Sequence, residues 1–204
     1  QTYKGASGGS NIVISGTAPT FTTTNTAIAF NTSDVTLANN GTTTINTGSG
    51  AGGATFGANV ETNGGGNDNL TITSGEGNVT FTGSVGAGNS LGALSVNASS
   101  GDGDITFSST IGDSDSAGTS GTTAIGNDAT EVIYFNNTLY SFDGGQTTIT
   151  AKDGLNTRIS QADTTIKVNG EALRFDESAL SLSSGANLTT VSYTHLRAHE
   201  TLRY

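Results

Sequence analysis

Cysteine, methionine and tryptophan are absent from the 204 residues, proline occurs once, and lysine and arginine together number only seven. Each shortage excludes something. Without cysteine there is neither a disulfide framework nor a thiolate for metal or nucleophilic chemistry, and the redox state of the compartment leaves no mark. Such a chain is compatible with export in an unfolded form. Seven cations against 17 acidic residues give a formal net charge of −10 and a pI near 4.3. That balance argues against nucleic acid, because phosphate binding needs a positive surface, and against an electrostatic hold on anionic lipid. Long apolar runs are missing too, so no segment approaches the roughly 20 apolar residues of a membrane-spanning helix. The opening residues, Gln1 to Ala6, lack the basic start and apolar stretch of a signal peptide. The chain starts without methionine in what reads as mid-repeat, and a fragment is expected, with any signal or anchor outside it.

What is abundant is small and polar. Thirty glycines and only 32% hydrophobic residues are too few apolar groups for an ordinary thick core, so the chain is either disordered or economical with them. Order is favoured, because the large apolar residues alternate within short runs. Between Asn69 and Gly112 the sequence says nearly the same thing twice. Leu70 matches Leu94 at an offset of 24 residues, and Val79, Phe81 and Val85 match Ile105, Phe107 and Ile111 at 26. A repeat of that length containing three apolar–polar alternations predicts a solenoid.

Alternation also assigns faces, since successive strand residues point to opposite sides. Leu70, Ile72, Val79, Phe81, Val85, Leu94, Val96, Ile105, Phe107 and Ile111 are expected inside. Asn69, Thr71, Asn78, Thr80, Thr82, Ser95, Thr106 and Ser108 are expected outside, where β-branched threonine suits a wetted strand face. Stacking equivalent positions would set Phe81 over Phe107 and Leu70 over Leu94. Similar short runs recur about every eight residues, from Ile12–Ile14 to Leu188, bounded by glycine, asparagine, serine or Pro19. The fold class predicted is all-β, a right-handed parallel β-helix with three short strands per turn, the hand being the one the crossover rule favours. It spans residues 1–190, with a projecting loop near 113–126 where the alternation lapses.

Residues 191–204 differ in kind. Both histidines of the chain and two of its four arginines lie there. The segment Ser192 to Leu202 resembles translated sequencing-adaptor read-through, and 191–204 is set aside as a non-native tail. His195 and His199, with Glu200, have a spacing that could offer zinc two imidazoles on a helix. The order is not His-Glu-x-x-His and no third ligand accompanies them.

Other candidates meet plain alternatives. Asn63-Gly64-Gly65-Gly66-Asn67-Asp68-Asn69-Leu70 resembles one copy of a calcium-binding β-roll nonapeptide, but such sites are completed by tandem copies and none follows. A turn leading into the Leu70 strand is the favoured reading. Asp102 with Asp104, and Asp113 with Asp115, supply too few oxygens for a hard cation and read as solvated turn carboxylates. Residues 1–190 hold neither histidine nor cysteine to activate a serine. Gly48 to Gly53 lacks the Gly-Lys-Ser ending of a phosphate loop. No catalytic, cofactor-binding or metal residue is assigned, and no cofactor is expected.

At Gly77-Asn-Val-Thr-Phe-Thr-Gly-Ser-Val-Gly86, Ser90-Leu-Gly-Ala-Leu-Ser-Val-Asn97 and Gly103-Asp-Ile-Thr-Phe107, the chain resembles the repeat region of large bacterial surface adhesins. These are the filamentous-haemagglutinin-like and autotransporter passenger proteins, and the likeness is clearest over about residues 56–112. The resemblance implies a right-handed parallel β-helix, export across a Gram-negative outer membrane, and a non-enzymatic role as adhesin or stalk. It implies an extracellular or cell-surface location, with host-cell or surface glycans or proteins as partners. Uncapped ends are expected to self-associate. Two alternatives stand beside it, a calcium-stabilised repeat module and a β-helical polysaccharide-cleaving enzyme. The latter would need acids and cations together on one outer face, and Lys4, Lys152, Arg158, Lys167 and Arg174 are widely scattered in the sequence.

Overall fold

Short alternating runs closed by glycine and asparagine become short parallel strands. The computed structural model describes residues 1–5, 11–64, 67–97, 100–115, 118–169 and 171–192, and these form 19 strands and no helix. The strands stack as a β-solenoid of about seven turns, three strands to a turn. The first face consists of β1 (Thr2–Tyr3), β4 (Ile28–Phe30), β7 (Ala54–Phe56), β10 (Val79–Phe81), β12 (Ile105–Phe107) and β14 (Ile133–Phe135), followed by the ends of β16 (Thr147–Ile159) and β18 (Leu173–Leu182). The second consists of β2 (Ile12–Ser15), β5 (Val35–Ala38) and β8 (Val60–Thr62), then single bridges at Val85 and Ile111, then β15 (Leu139–Asp143), β17 (Thr164–Asn169) and β19 (Leu188–Ser192). The third consists of β3 (Thr20–Thr22), β6 (Thr42–Asn46), β9 (Asn69–Thr73), β11 (Leu94–Val96) and β13 (Thr123–Ile125), then the starts of β16 and β18.

The register is the one the repeat predicts. Leu94 pairs with Leu70, Ile105 with Val79, Phe107 with Phe81 and Ile111 with Val85. All ten residues expected inside are at most 1% exposed. Stacking turns the interior into columns. Phe30, Phe56, Phe81, Phe107 and Phe135 follow Tyr3 in a ladder of parallel rings with centroids 4.9–5.5 Å apart. Offset ring stacking adds about 0.5–1.5 kcal/mol per pair beyond the burial itself. At its far end the ladder closes edge-on against Tyr140, 4.7 Å from Phe135. Tyr140 is fully buried, which pushes its phenol far above the ordinary range, and its oxygen accepts the Asn137 N–H.

Corners are made by residues with no room for a side chain or with a side chain that caps. A Cβ on Gly77 would fall on the Gly52 carbonyl, and one on Gly103 would fall on the Gly77 carbonyl. Asparagine and aspartate then tie one turn to the next. The Asn59 Oδ1 accepts the Ser84 N–H at 2.9 Å, and the Asp34 Oδ1 accepts the Asn59 N–H at 3.0 Å. The Asn78 Oδ1 accepts the Asp104 N–H and the Asn69 Oδ1 the Ala93 N–H.

Three expectations change. Residues 113–126 do not leave the stack as one loop: Thr119 is buried and bridges Leu91 to Phe142, and Thr123–Ile125 is β13. Turn length explains it, because the Leu94-to-Thr123 offset is 29 residues where Leu70 to Leu94 is 24, so only a few extra residues need be accommodated. The runs at Thr147–Thr150 and Ile159 are not separate strands, since β16 spans both, with register shifts at Gly154. The same holds for Leu173 to Leu182 in β18. Threonine is not only an outer residue, because nine threonines are buried among the described residues. Threonine has the shape of valine, so it fits a column wherever its hydroxyl finds an acceptor. Thr62 donates to the Ser90 carbonyl at 3.1 Å, and the Thr119 and Thr123 hydroxyls lie 2.9 Å apart. Of the tail, Val191 and Ser192 belong to β19 and the remainder, with His195, His199 and Glu200, lies outside the described residues.

Two substitutions test the columns. Phe81→Ala removes a ring stacked on both sides and is expected to cost about 3–5 kcal/mol in urea unfolding, with no comparable loss from Phe21→Ala at the half-buried first turn. Thr147 is fully buried and its hydroxyl has no hydrogen-bond partner. Thr147→Val keeps the shape and removes an unsatisfied polar group, so it is expected to raise the unfolding midpoint by the equivalent of about 1 kcal/mol or more, whereas Thr123→Val, which breaks a hydroxyl pair, is not.

Candidate functional site

Where each candidate sits follows from the stacking. Asp68 is fully buried at the corner before β9, and its Oδ1 accepts the N–H groups of Asn39 and Asn40, both at 2.6 Å. Asn40 has a φ of 49°, so the carboxylate caps a left-handed turn one rung below. The Oδ2 of the same carboxylate is buried without a hydrogen-bond partner, so the two amide bonds offset the cost of burying it. The glycine-rich nonapeptide is thus a corner leading into the Leu70 strand in its described part; Gly65 and Gly66 lie outside the described residues. At Asp113 the carboxylate accepts the Asp115 N–H at 2.8 Å, a local turn, just ahead of the undescribed pair 116–117.

Two amides of the segment Gly48 to Gly53 are spent within the fold. The Gly48 N–H goes to the Asn46 Oδ1 and the Gly50 N–H to the Asn25 Oδ1. Beside this segment runs a shallow surface groove of about 490 Å³ lined by Asn46, Thr73, Glu76, Gly101 and Asp102 among others.

Asp102 and Asp104 flank Gly103, whose packing on Gly77 fixes the corner between the third and first faces. Asp102 is exposed, its N–H bonded to the Gly75 carbonyl, and its own carbonyl accepts the Glu131 N–H at 2.9 Å. Glu131 therefore stands one turn beyond Asp102. Asp104 precedes the inward Ile105 and so joins the outward side of the first face. It is partly buried, and its Oδ1 is covered and without a hydrogen-bond partner. Burial, and then the neighbouring charge of Glu131, raise the Asp104 carboxyl above the ordinary aspartate range, against the opposing pull of the Val132 amide and Arg158.

That last contribution points to a grouping that sequence order concealed. Register brings Thr106, Tyr134 and Arg158 onto successive rungs of the first face. The Arg158 guanidinium lies over the Tyr134 ring, 5.6 Å from its centroid, a cation–π arrangement. Asp104, Glu131, Tyr134 and Arg158 thus form a patch drawn from three turns. The ion pair of Arg174 with Asp176, at 2.9 Å, is exposed on the third face and contributes little. The signal for the patch was the offset from Thr106, 28 residues to Tyr134 and then 24 to Arg158.

Because the folded Asp104 carboxyl binds its proton more tightly than the unfolded one, folding takes up protons between the ordinary value of 3.8 and the raised folded value. Stability contributed here therefore falls as pH rises through that window. Asp104→Asn is expected to flatten that part of the urea-midpoint profile and to gain on the parent as pH rises, and Glu131→Gln to narrow the window; an unchanged profile in both would refute the shift. The chain matches no protein-family model, no curated protein and no solved structure.

Proposed function

We propose that the chain is a structural and adhesive segment of a secreted or surface-displayed bacterial adhesin, a rigid shaft whose outer faces make contact. It acts without catalysis, and its location is extracellular or at the cell surface. The observation that carries this reading is the uninterrupted column structure. Interior space is filled by stacked rings and aliphatic side chains, and the grooves among the described residues are shallow openings on the outside. No helix among the described residues is long and apolar enough to cross a membrane.

Magnitudes decide which part of the shaft role matters. About seven turns rising about 4.8 Å each give a rod of roughly 35 Å. A flexible linker of similar residue count would reach further, on the order of 75 Å root-mean-square. Reach per residue is therefore not what the fold supplies. It supplies stiffness and long files of outward side chains held in register, which suit repeated weak contacts with a surface. The ends supply a second interaction. β1, β2 and β3 each have a ladder partner on one side only, and Leu182, an inward position of the last rung, is 45% exposed. These edges are where copies would associate.

One observation favours a rival, a polysaccharide-cleaving β-helix: burial, and then the neighbouring carboxylate of Glu131, raise the Asp104 carboxyl, as an acid catalyst requires. Both readings are tested together. Beads coated with the chain are expected to be retained on epithelial monolayers several-fold over beads coated with a scrambled sequence, and equal retention overturns the adhesive reading. Neutral and acidic polysaccharides incubated with the chain are expected to keep their length, and reproducible cleavage would establish the enzyme instead.

A further inference from the structure

The outward side of the first face changes height partway along the rod. Thr55, Thr80 and Thr106 stand in one file on three successive rungs, and Tyr134 and Arg158 continue the file. At about 4.8 Å per rung the threonines cover roughly 10 Å. With Arg158 over one face of the Tyr134 ring, the opposite face looks back along the axis over Thr106. The result is a shelf, a floor of short hydroxyl side chains ending at a tyrosine wall that a guanidinium braces from behind.

The polar groups of this shelf are not spent inside the molecule. Among the described residues, the hydroxyls of Thr55, Thr80 and Thr106 make no hydrogen bond, and no carboxylate lies within ion-pair distance of Arg158. An aromatic face and aligned hydroxyls are therefore set out together and left open.

We propose that this shelf binds a neutral glycan, one sugar ring lying against Tyr134 with its hydroxyls bonded to Thr106 and Thr80. A sugar ring presents C–H groups, weakly positive, to the electron-rich face of the phenol. Its hydroxyls both donate and accept, and so match hydroxyl side chains, which do the same. Acidic sugars meet the charges of Asp104 and Glu131. A peptide strand finds no place, because β10, β12 and β14 are paired on both sides and offer no edge. The proposal deepens the surface-contact reading of the shaft and rests on it for assigning a binding role to an outer face.

The test titrates the full chain with cellohexaose, maltohexaose and mannohexaose, and with a hyaluronan hexasaccharide as the acidic probe, by calorimetry and saturation-transfer NMR. At least one neutral hexasaccharide is expected to bind saturably and the hyaluronan fragment not. Tyr134→Ala, and Thr106→Lys, which fills the floor, are each expected to weaken binding by at least about tenfold, while Arg174→Ala on the third face leaves it unchanged. Both shelf positions point outward, and unfolding midpoints are to be compared to confirm that the variants fold. Failure of every neutral probe, equal binding of hyaluronan, or affinity that survives both shelf substitutions overturns the proposal. If the glycans fail while coated beads are still retained, the shelf falls and the adhesive reading stands on another surface.

Discussion

Every side chain in this fold sits on the equivalent side chain of the turn below, about 4.8 Å away. That single constraint selects the residues. Flat rings stack face to face at this spacing with little loss, so the ladder from Phe30 to Phe135 keeps ring tilts of 3–11°. Where backbones touch at corners, any side chain would collide, which is why Gly77 and Gly103 follow one another up the axis. Where corner amides point along the axis with no strand to receive them, asparagine and aspartate accept them. Asp34, Asn59 and Ser84 form such a chain, and Asp68 serves two amides at once. The unusual composition is thus three solutions to one geometric demand.

The same demand explains how few apolar residues suffice. An ordinary globular core is filled from many directions, whereas a solenoid interior is only two or three side chains across, and each column is shielded by its own neighbours along the axis. Thirty-one hydrophobic residues form one continuous buried cluster in the described chain. The margin is thin, however, because a column interrupted anywhere exposes the rung above and below it. Buried threonines mark where the columns are least apolar. Those at Thr62, Thr119 and Thr123 are reconciled by hydrogen bonds, and Thr147 is not.

The stacking was legible in the sequence because alternation and repeat offset are both one-dimensional signals. Leu70 with Leu94 and Phe81 with Phe107 needed nothing else. What was not legible depended on facts that alternation does not carry. Thr43 and Thr123 alternate in phase with Leu70 and Leu94, but side-chain chemistry alone gives no sign that a hydroxyl will find a partner inside. The fusion of Thr147 to Ile159 into one strand depends on bulges at Gly154 that keep both ends in register, and glycine there reads equally well as a turn. The turn before Leu70 was the favoured reading of its glycine-rich stretch, but that the Asp68 carboxylate itself receives the Asn39 and Asn40 amides was not readable, because glycine and aspartate serve calcium loops and tight corners alike. The patch of Asp104, Glu131, Tyr134 and Arg158 was hidden by unequal turn lengths, which spread neighbours over 55 residues of chain.

In-register stacking acts on the outside as well as the inside. A rung cannot repeat its core without also repeating the phase of its outward residues, so any side chain that recurs on the surface becomes a file. Thr55, Thr80 and Thr106 fill three successive outward positions of the first face, as a wetted strand favours, and a uniform file of threonine has no preferred place for a ligand. Tyr134 and Arg158 break the file. A break is where a surface repeat acquires position, because only there do a floor and a wall meet. The stiffness that makes the rod a poor spacer per residue, about 0.2 Å for each residue against about 1.5 Å in a helix, is what holds that junction in place. Selection for a surface would favour this fold even where selection for length would not.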